Sequence, residues 1–452
     1  MPLGSLPGIA ASAAAMFGAS AAAESMLLPV SAVLFSRVTF AGLVANFGAI
    51  PLMAVAQIAG MALVPAWAVS PSLAAAIGWL AHAGAEGLVR TGDVVRAAPF
   101  LTWRVAPPSP FVVGAYYAGL LCAWVSWRRS AGAIGSRAGP RLRAFRLSAV
   151  GTALGAACWL LFEPWTVWSS LGDRRLHVTF LDVGQGDSAF VRFPRGSTLL
   201  VDAGGLGGNS AFDVGDRVVA PVLRHAGIRR LGAAAVTHGD LDHAGGARAI
   251  VGEFRPRDVW EGIPVPPLET MRGLRSAAES AGARWVNVQA GDLVTIDGVQ
   301  VIVRHPRPPD WERQDVRNDD SIVLELLWGG VSIVLTGDIG RDVEREIAPL
   351  FAPSPLRVLK APHHGSLTSS SREFLRALAP RVAVVSAGRG NAFGHPAPEV
   401  LERYREAGAA IFRTDQDGAV TIDTDGDSLE VGTFTGQRVF IRATRPRRHE
   451  VQ

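Results

Sequence analysis

From Val38 to Ala85 the chain contains no Asp, Glu, Lys or Arg. A run this long has room for two membrane spans of about 20 residues with a turn between them, and Pro65 and Pro71 stand where such a turn is expected. The charge pattern then divides the chain. Residues 1–172 carry ten Arg and four acidic side chains, whereas residues 173–452 carry the other 34 basic and 36 acidic ones. The first part is sparse enough in charge for lipid, and the second has the charge density of a protein in water. The formal net charge of +4 is thus the sum of +6 on the membrane part and −2 on the soluble part. A basic surface for nucleic acid does not follow from it.

Further spans are expected at Val105–Trp127 and from Leu147 to about Trp168, where Trp159, Trp165 and Trp168 resemble an interfacial belt. The Ala-rich segment Ile9–Phe35, with Glu24 inside it, reads as a partial span or the remnant of a larger bundle. No basic residue precedes Arg37 and apolar segments continue far beyond it, so multipass anchoring is expected rather than a cleaved signal peptide. Arg128, Arg129, Arg137, Arg141, Arg143 and Arg146 fall in one stretch without an acid, which the positive-inside rule places in the cytoplasm. One more crossing puts everything from about Asp173 onward outside the inner (plasma) membrane. A monotopic last helix, the alternative, leaves it inside. The expected organisation is a membrane domain at 1–172 with about four helices and an Arg-rich cytoplasmic loop at 128–146, a soluble domain at 173–433, and a basic tail at 434–452.

Cys122 and Cys158 lie in apolar runs without CxxC spacing, indicating neither a disulfide scaffold nor a thiolate zinc site. Of the 44 basic side chains 43 are Arg. The single lysine, Lys360, hints at a need specific to its position.

From Leu176 the pattern changes to short β-branched runs punctuated by glycine: LHVTFLDVGQGDSAFVRF, STLLVDAGG and LGAAAVTHGDLDHAGG, then VQVIVRHP, SIVLELLWGG and VSIVLTGD, with helices such as SREFLRALAP between. This is an α/β layout, with VQVIVRHP and SIVLELLWGG paired as a hairpin. The densest chemistry is Thr237-His238-Gly239-Asp240-Leu241-Asp242-His243, directly after an apolar strand. A strand end followed by a turn and a helix start can aim such side chains into one cavity able to hold two cations. Thr336-Gly337-Asp338 and Pro362-His363-His364-Gly365-Ser366 follow strands in the same way. Together they supply a bridging carboxylate and a further imidazole. Asp202, ending STLLVDAGG, is either a carboxylate that orients a histidine or a turn cap.

These residues resemble the metallo-β-lactamase superfamily, whose signature is HxHxDH after a strand with a lone Asp and a lone His downstream. LDVGQGDS, THGDLDHAGG, NDDSIVLEL, LTGDI, LKAPHHGS and SAGRGNAFGHP, in that order, resemble the hydrolase domain of ComEC-type DNA internalisation proteins, and GLVANFGAIPL at Gly42–Leu52 resembles the competence-family channel. The resemblance implies a partial α-helical transmembrane bundle followed by a four-layer αββα sandwich. It implies His238 and Asp240 at one metal, Asp242 and His243 at another, Asp338 bridging and His363 completing the second. Asp240 stands where many relatives have His, which shifts preference toward Mn²⁺, with Zn²⁺ the other candidate. The third-motif histidine is replaced by Asn318-Asp319-Asp320-Ser321. Asn318, Asp319 and water are the candidates for its place, with His305 behind them. Asp242, His364, Lys360 and His395 are the implied catalytic groups near the phosphate.

The function implied is DNA uptake in natural transformation: a channel for single-stranded DNA, and a dinuclear phosphodiesterase that degrades the other strand. The alternatives are transport with an inactive hydrolase fold, or hydrolysis of a cell-wall phosphodiester or another ester. The implied partners are DNA, membrane lipid and other competence proteins. The family carries further helices and a small β domain before the matched region, so a misplaced start, a split or truncated gene, or a separate chain supplying the remainder is expected.

Overall fold

The computed structural model describes residues 8–131, 139–166, 171–205, 212–307 and 312–442. The chain divides into two compact units, Met1–Pro164 and Trp165–Gln452.

The first unit contains α1 (Gly8–Phe35), α2 (Gly42–Val69), α3 (Pro71–Ala97), α4 (Pro110–Ala131) and α5 (Pro140–Phe162). A two-stranded antiparallel ribbon joins β1 (Arg37–Thr39) to β2 (Thr102–Arg104). Among the described residues four helices are long and apolar enough to cross a membrane: α1 from Ala10, α2, α4 to Ser130, and α5. The uncharged run divides at Ser70, where Pro71 opens α3, while Pro65 is accommodated inside α2. α3 carries Glu86, Arg90 and Asp93 in its second half, so the run supplies one of the four spans, and the N-terminal segment supplies another. α5 begins at Pro140 rather than Leu147, which places Arg141, Arg143 and Arg146 in its first turns and Arg128 and Arg129 in the last turn of α4. Arg137 and Trp168 lie outside the described residues. Small residues let these helices approach closely. A Cβ at Gly84 would stand 2.9 Å from the Ala56 nitrogen, and one at Gly119 would stand 2.8 Å from the Ala149 oxygen.

The second unit is built from two facing sheets. The nine-stranded sheet has the order β18-β17-β16-β3-β4-β5-β6-β7-β8, comprising β3 (Leu176–Phe180), β4 (Ala189–Arg192), β5 (Thr198–Val201), β6 (Ala233–Val236), β7 (Asp258–Glu261), β8 (Arg284–Asn287), β16 (Val420–Thr424), β17 (Ser428–Thr433) and β18 (Arg438–Arg442). The seven-stranded sheet runs β15-β14-β13-β12-β11-β10-β9, from β9 (Leu293–Ile296), β10 (Val299–His305), β11 (Val323–Trp328), β12 (Val331–Leu335), β13 (Leu356–Lys360), β14 (Val382–Val385) and β15 (Ala410–Arg413). β10 and β11 pair antiparallel, but the tight hairpin is β11–β12 through Gly329-Gly330; β10 reaches β11 by a long connection.

The core lies between the sheets, where Val191, Leu324, Ile333 and Val358 are fully buried. Each such side chain contributes about 1.5–3 kcal/mol by leaving water. Leu223, Ile250 and Leu274 close helices over the outer face of the larger sheet, and Ile347, Leu375 and Val400 do so over the smaller one. The unit is therefore a four-layer αββα sandwich. Strands β6, β13 and β14, parallel to their neighbours and covered on both faces, are buried at every position. The 434–452 segment, expected as a solvated tail, instead adds an edge strand: Arg438–Arg442 pairs along β17. Arg445, Arg447 and Arg448 lie outside the described residues.

Candidate metal centre

Parallel strands end in loops that the sheet brings to one edge, the usual place for a site in α/β folds. Asp202 follows β5, His238 follows β6, Asp338 follows β12, and His363 and His364 follow β13. After β6 the chain turns through Asp240 into a short helix, Leu241–Ala244, with Asp240 extended at its cap and the His243 amide donating to the Asp240 carbonyl at 3.0 Å. This turn aims His243 inward. Gly337 makes the equivalent turn after β12 at φ +54°, where a Cβ would lie 2.7 Å from Ser321 Cβ; only glycine fits there.

His243 is fully buried, its Nδ1 2.8 Å from Asp202 Oδ2 and its Nε2 3.3 Å from Asp338 Oδ1. His364 Nδ1 donates to the Ser386 carbonyl at 3.0 Å, and its Nε2 lies 3.3 Å from Asp242 Oδ2 and 3.2 Å from Asp338 Oδ2. With each Nδ1 engaged as a donor, each Nε2 presents a lone pair to carboxylate oxygens. The Nε2 atoms of His238, His243 and His364 and Oδ1 of Asp338 are buried and lack a hydrogen-bond partner among the described residues. Lone pairs facing carboxylates require either protons or a cation between them. Burial pushes His243 and His364 down, and the carboxylates around them push both well above the ordinary imidazole value. Asp338 is held well below the usual carboxylate range, burial being outweighed by His364, His243 and Lys360.

A divalent cation satisfies the same charge without protons. Asp242, His243, Asp338 and His364 each offer a ligand atom, all within 4.8 Å of one another. The closest pairs, at 3.2–3.3 Å, are near the roughly 3.4 Å that tetrahedral ligands at about 2.1 Å from a metal would adopt. Two imidazoles with two carboxylates suit Zn²⁺ or Mn²⁺. His238 Nε2 and Asp240 Oδ2, 3.2 Å apart, form a second donor pair beside this set.

The supporting shell is built as tightly. Asp202, at φ +61°, accepts from the Thr237 amide at 2.7 Å and the Thr237 hydroxyl at 2.8 Å as well as from His243. Lys360, 3% exposed, pairs with Asp187, donates to the Gly337 carbonyl at 3.0 Å and lies 3.5 Å from Asp338 Oδ1. Burial pushes its ammonium down, but Asp187 and Asp338 raise it further. Asp187 stays ionised despite burial because of Lys360 and His364. Asp187, Asp202 and His243 also cluster, but Lys360 already supplies the positive charge and the His243 Nδ1 proton is committed to Asp202. That cluster supports the site rather than competing for an ion.

Several placements differ from the sequence reading. His364, expected as a catalytic group, joins the carboxylates. His363, expected as a ligand, lies farther out, its Nε2 4.0 Å from Asp338 Oδ2 and 3.1 Å from Asn318 Nδ2. Lys360, expected near the phosphate, is sealed against Asp187. His395 is half-buried at the rim, its ring 5.8 Å from that of His363. Asp319 is exposed and accepts from the Gly340 amide at 2.6 Å. Ser321 is the member of its segment that touches the site: its hydroxyl accepts from the Asp338 amide at 3.0 Å and lies 3.3 Å from His238 Nδ1, with His305 Nδ1 donating to its carbonyl from behind. Asp187, inside GQGD, is a member of the site that its local sequence does not mark. Gly186 before it, at φ +136°, would carry a Cβ 2.2 Å from the Asp242 carbonyl, so this loop closes directly over the ligand helix.

Residues 181–389 match the metallo-beta-lactamase superfamily and residues 3–130 the competence protein family. ComE operon protein 3 of Bacillus subtilis is 33% identical over 270 residues, covering 57% of this chain and 34% of that protein. Competence protein ComA of Neisseria gonorrhoeae is 36% identical over 270 residues, covering 57% of this chain and 35% of that protein. The chain thus spans about a third of the length of these relatives. Among solved structures, the metallo-beta-lactamase fold protein YhfI of Bacillus subtilis aligns over 52% of this chain and 95% of its own, at 10% identity and a TM-score of 0.36.

Proposed function

We propose that this chain, a competence domain joined to a metallo-beta-lactamase domain, acts in DNA uptake, its second unit cleaving DNA phosphodiesters as one strand enters through a channel to which the first unit contributes. The observation that carries this reading is the convergence of His243, His364, Asp338 and Asp242, whose ligand atoms lie within 4.8 Å of one another and whose buried imidazole Nε2 atoms have no hydrogen-bond partner among the described residues. A bound divalent cation supplies Lewis acidity at a phosphoryl oxygen and eases deprotonation of a water near neutral pH. The chain's residues do the rest. Asp242, His243, Asp338 and His364 would hold the ion, and His238 with Asp240 would take a second. Asp202 and the Ser386 carbonyl keep the His243 and His364 protons on Nδ1, while Lys360 balances Asp187 and Asp338. His363 and His395, both shifted below the ordinary imidazole value by burial, sit at the rim as neutral groups able to accept a proton or orient substrate.

The Arg residues at the end of α4 and the start of α5 support a cytoplasmic turn between them, and so an extracytoplasmic hydrolase. The test is cleavage of end-labelled single- and double-stranded DNA by the full chain in detergent with Mn²⁺, beside Asp242→Ala. Metal-dependent cleavage lost in the variant is expected. Folded, metal-loaded protein that leaves DNA intact but turns over another phosphodiester or ester would overturn the DNA assignment.

A further inference from the structure

A series of rings leads from the centre to the surface. His238 and His243 have centroids 4.2 Å apart, His243 and His364 5.4 Å, His364 and His363 6.3 Å, and His363 and His395 5.8 Å. The series ends at Phe393, stacked on His395 with centroids 5.9 Å apart and planes 23° apart. Phe393 is 70% exposed. It is nevertheless held in place. The Asn391 side chain accepts from the amides of Phe393 at 3.1 Å and His395 at 3.0 Å, and donates to the carbonyls of Gly388 at 2.9 Å and His395 at 2.6 Å. Gln185, on the loop that carries Asp187, accepts from the Gly388 amide at 3.1 Å. A phenyl group left in water on a loop this firmly pinned gains nothing for the fold, and its stacked geometry is already that of an aromatic platform.

We propose that Phe393, backed by His395, is a stacking platform for a nucleobase next to the scissile phosphate. The proposal rests on the DNA-cleavage reading and adds to it a subsite for the base. Every base has a π-face, so such a platform fixes the strand without reading its sequence. His363, between His395 and Asp338, then lies on the path from the stacked nucleotide to the metal ligands.

The test compares binding of two fluorescent single strands of equal length, one ordinary and one abasic throughout, to the full chain in detergent with EDTA, so that nothing is cleaved. Wild type should bind the base-bearing strand about tenfold or more tightly than the abasic one, in line with stacking on one aromatic side chain. F393A should bring the base-bearing strand to the abasic level, and F393W should restore the difference. If F393A binds the base-bearing strand as wild type does, or wild type does not distinguish the strands, the platform is refuted while DNA recognition stands. If wild type binds neither strand and cleaves no DNA with Mn²⁺, the DNA reading falls and the platform with it.

Discussion

Replacing Asp202 by Asn should disarm His243 without disturbing the fold. The backbone at φ +61° is one that Asn adopts as readily as Asp, so the loop keeps its course. The amide, however, can be seated in only one way. The Thr237 backbone N–H can only donate, which directs the Asn carbonyl oxygen to the place where Asp202 Oδ1 now accepts at 2.7 Å. The NH₂ group then faces the Thr237 hydroxyl and His243 Nδ1, where Asp202 Oδ2 now accepts at 2.8 Å from each. His243 must accept at Nδ1, and its proton moves to Nε2, the atom 3.3 Å from Asp338 that should bind the ion. Loss of such an orienting partner typically weakens metal binding about 10- to 100-fold, or roughly 1.4–2.7 kcal/mol. Competition with a chromogenic chelator on the full chain measures this, and thermal unfolding in EDTA checks that the variant is folded. A Mn²⁺ or Zn²⁺ affinity within about threefold of wild type, below the range for outer-shell partners, would mean that Asp202 does not set the His243 tautomer.

Lys360→Met leaves Asp187 buried without its cation; the expected loss of stability in EDTA is about 3–4 kcal/mol, the lower end set by breaking a buried pair and the upper by Asp187 binding a proton at pH 7 instead. Adding Asp187→Asn should recover most of it, and a double variant no better than Lys360→Met would contradict the pairing. His364→Ala should weaken metal binding more than about a hundredfold, beyond what outer-shell partners contribute, whereas His363→Ala should cost less than tenfold by the same standard; calorimetric titration with Zn²⁺ separates them, and the reverse order would restore His363 as the ligand. His177, away from the centre on β3, is pushed down by burial and raised by more through Asp423 and Asp173. Its stabilising contribution is therefore fully present below the ordinary value of 6.5 and fades as pH rises through the raised value. Urea midpoints of wild type and His177→Gln should differ most in acid and converge in base, and a gap that widens with pH would reverse the sign.

The candidate ligands legible in the sequence are those that follow a strand within a few residues. THGDLDH after β6 and TGD after β12 carry their geometry locally, because an apolar strand fixes where the next loop starts. The choice between His363 and His364 is not local. Both adopt left-handed backbone, at φ +50° and +53°, and it is the Ser386 carbonyl beyond β14 that draws His364 inward. Asp187 carries no local mark because its partner, Lys360, comes from a distant strand of the other sheet, although a lone lysine among 43 arginines does mark that partner. In the membrane part hydropathy located apolar segments but not their ends: Pro65 inside α2 and Pro71 at the start of α3 look alike in sequence. The last strand was hidden by its arginines, for Arg438-Val-Phe-Ile-Arg442 alternates in burial as an edge strand does, yet reads as a basic terminus.

Asp242, His243, Asp338 and His364 are proposed to grip one divalent cation. Anomalous scattering from crystals of the Mn²⁺- or Zn²⁺-loaded protein tests it most directly. A peak bonded to His243 Nε2, His364 Nε2 and oxygens of Asp242 and Asp338 is expected, with any second ion at His238 and Asp240. A loaded protein whose only metal lies elsewhere, with these four side chains still hydrogen-bonded among themselves, would contradict it.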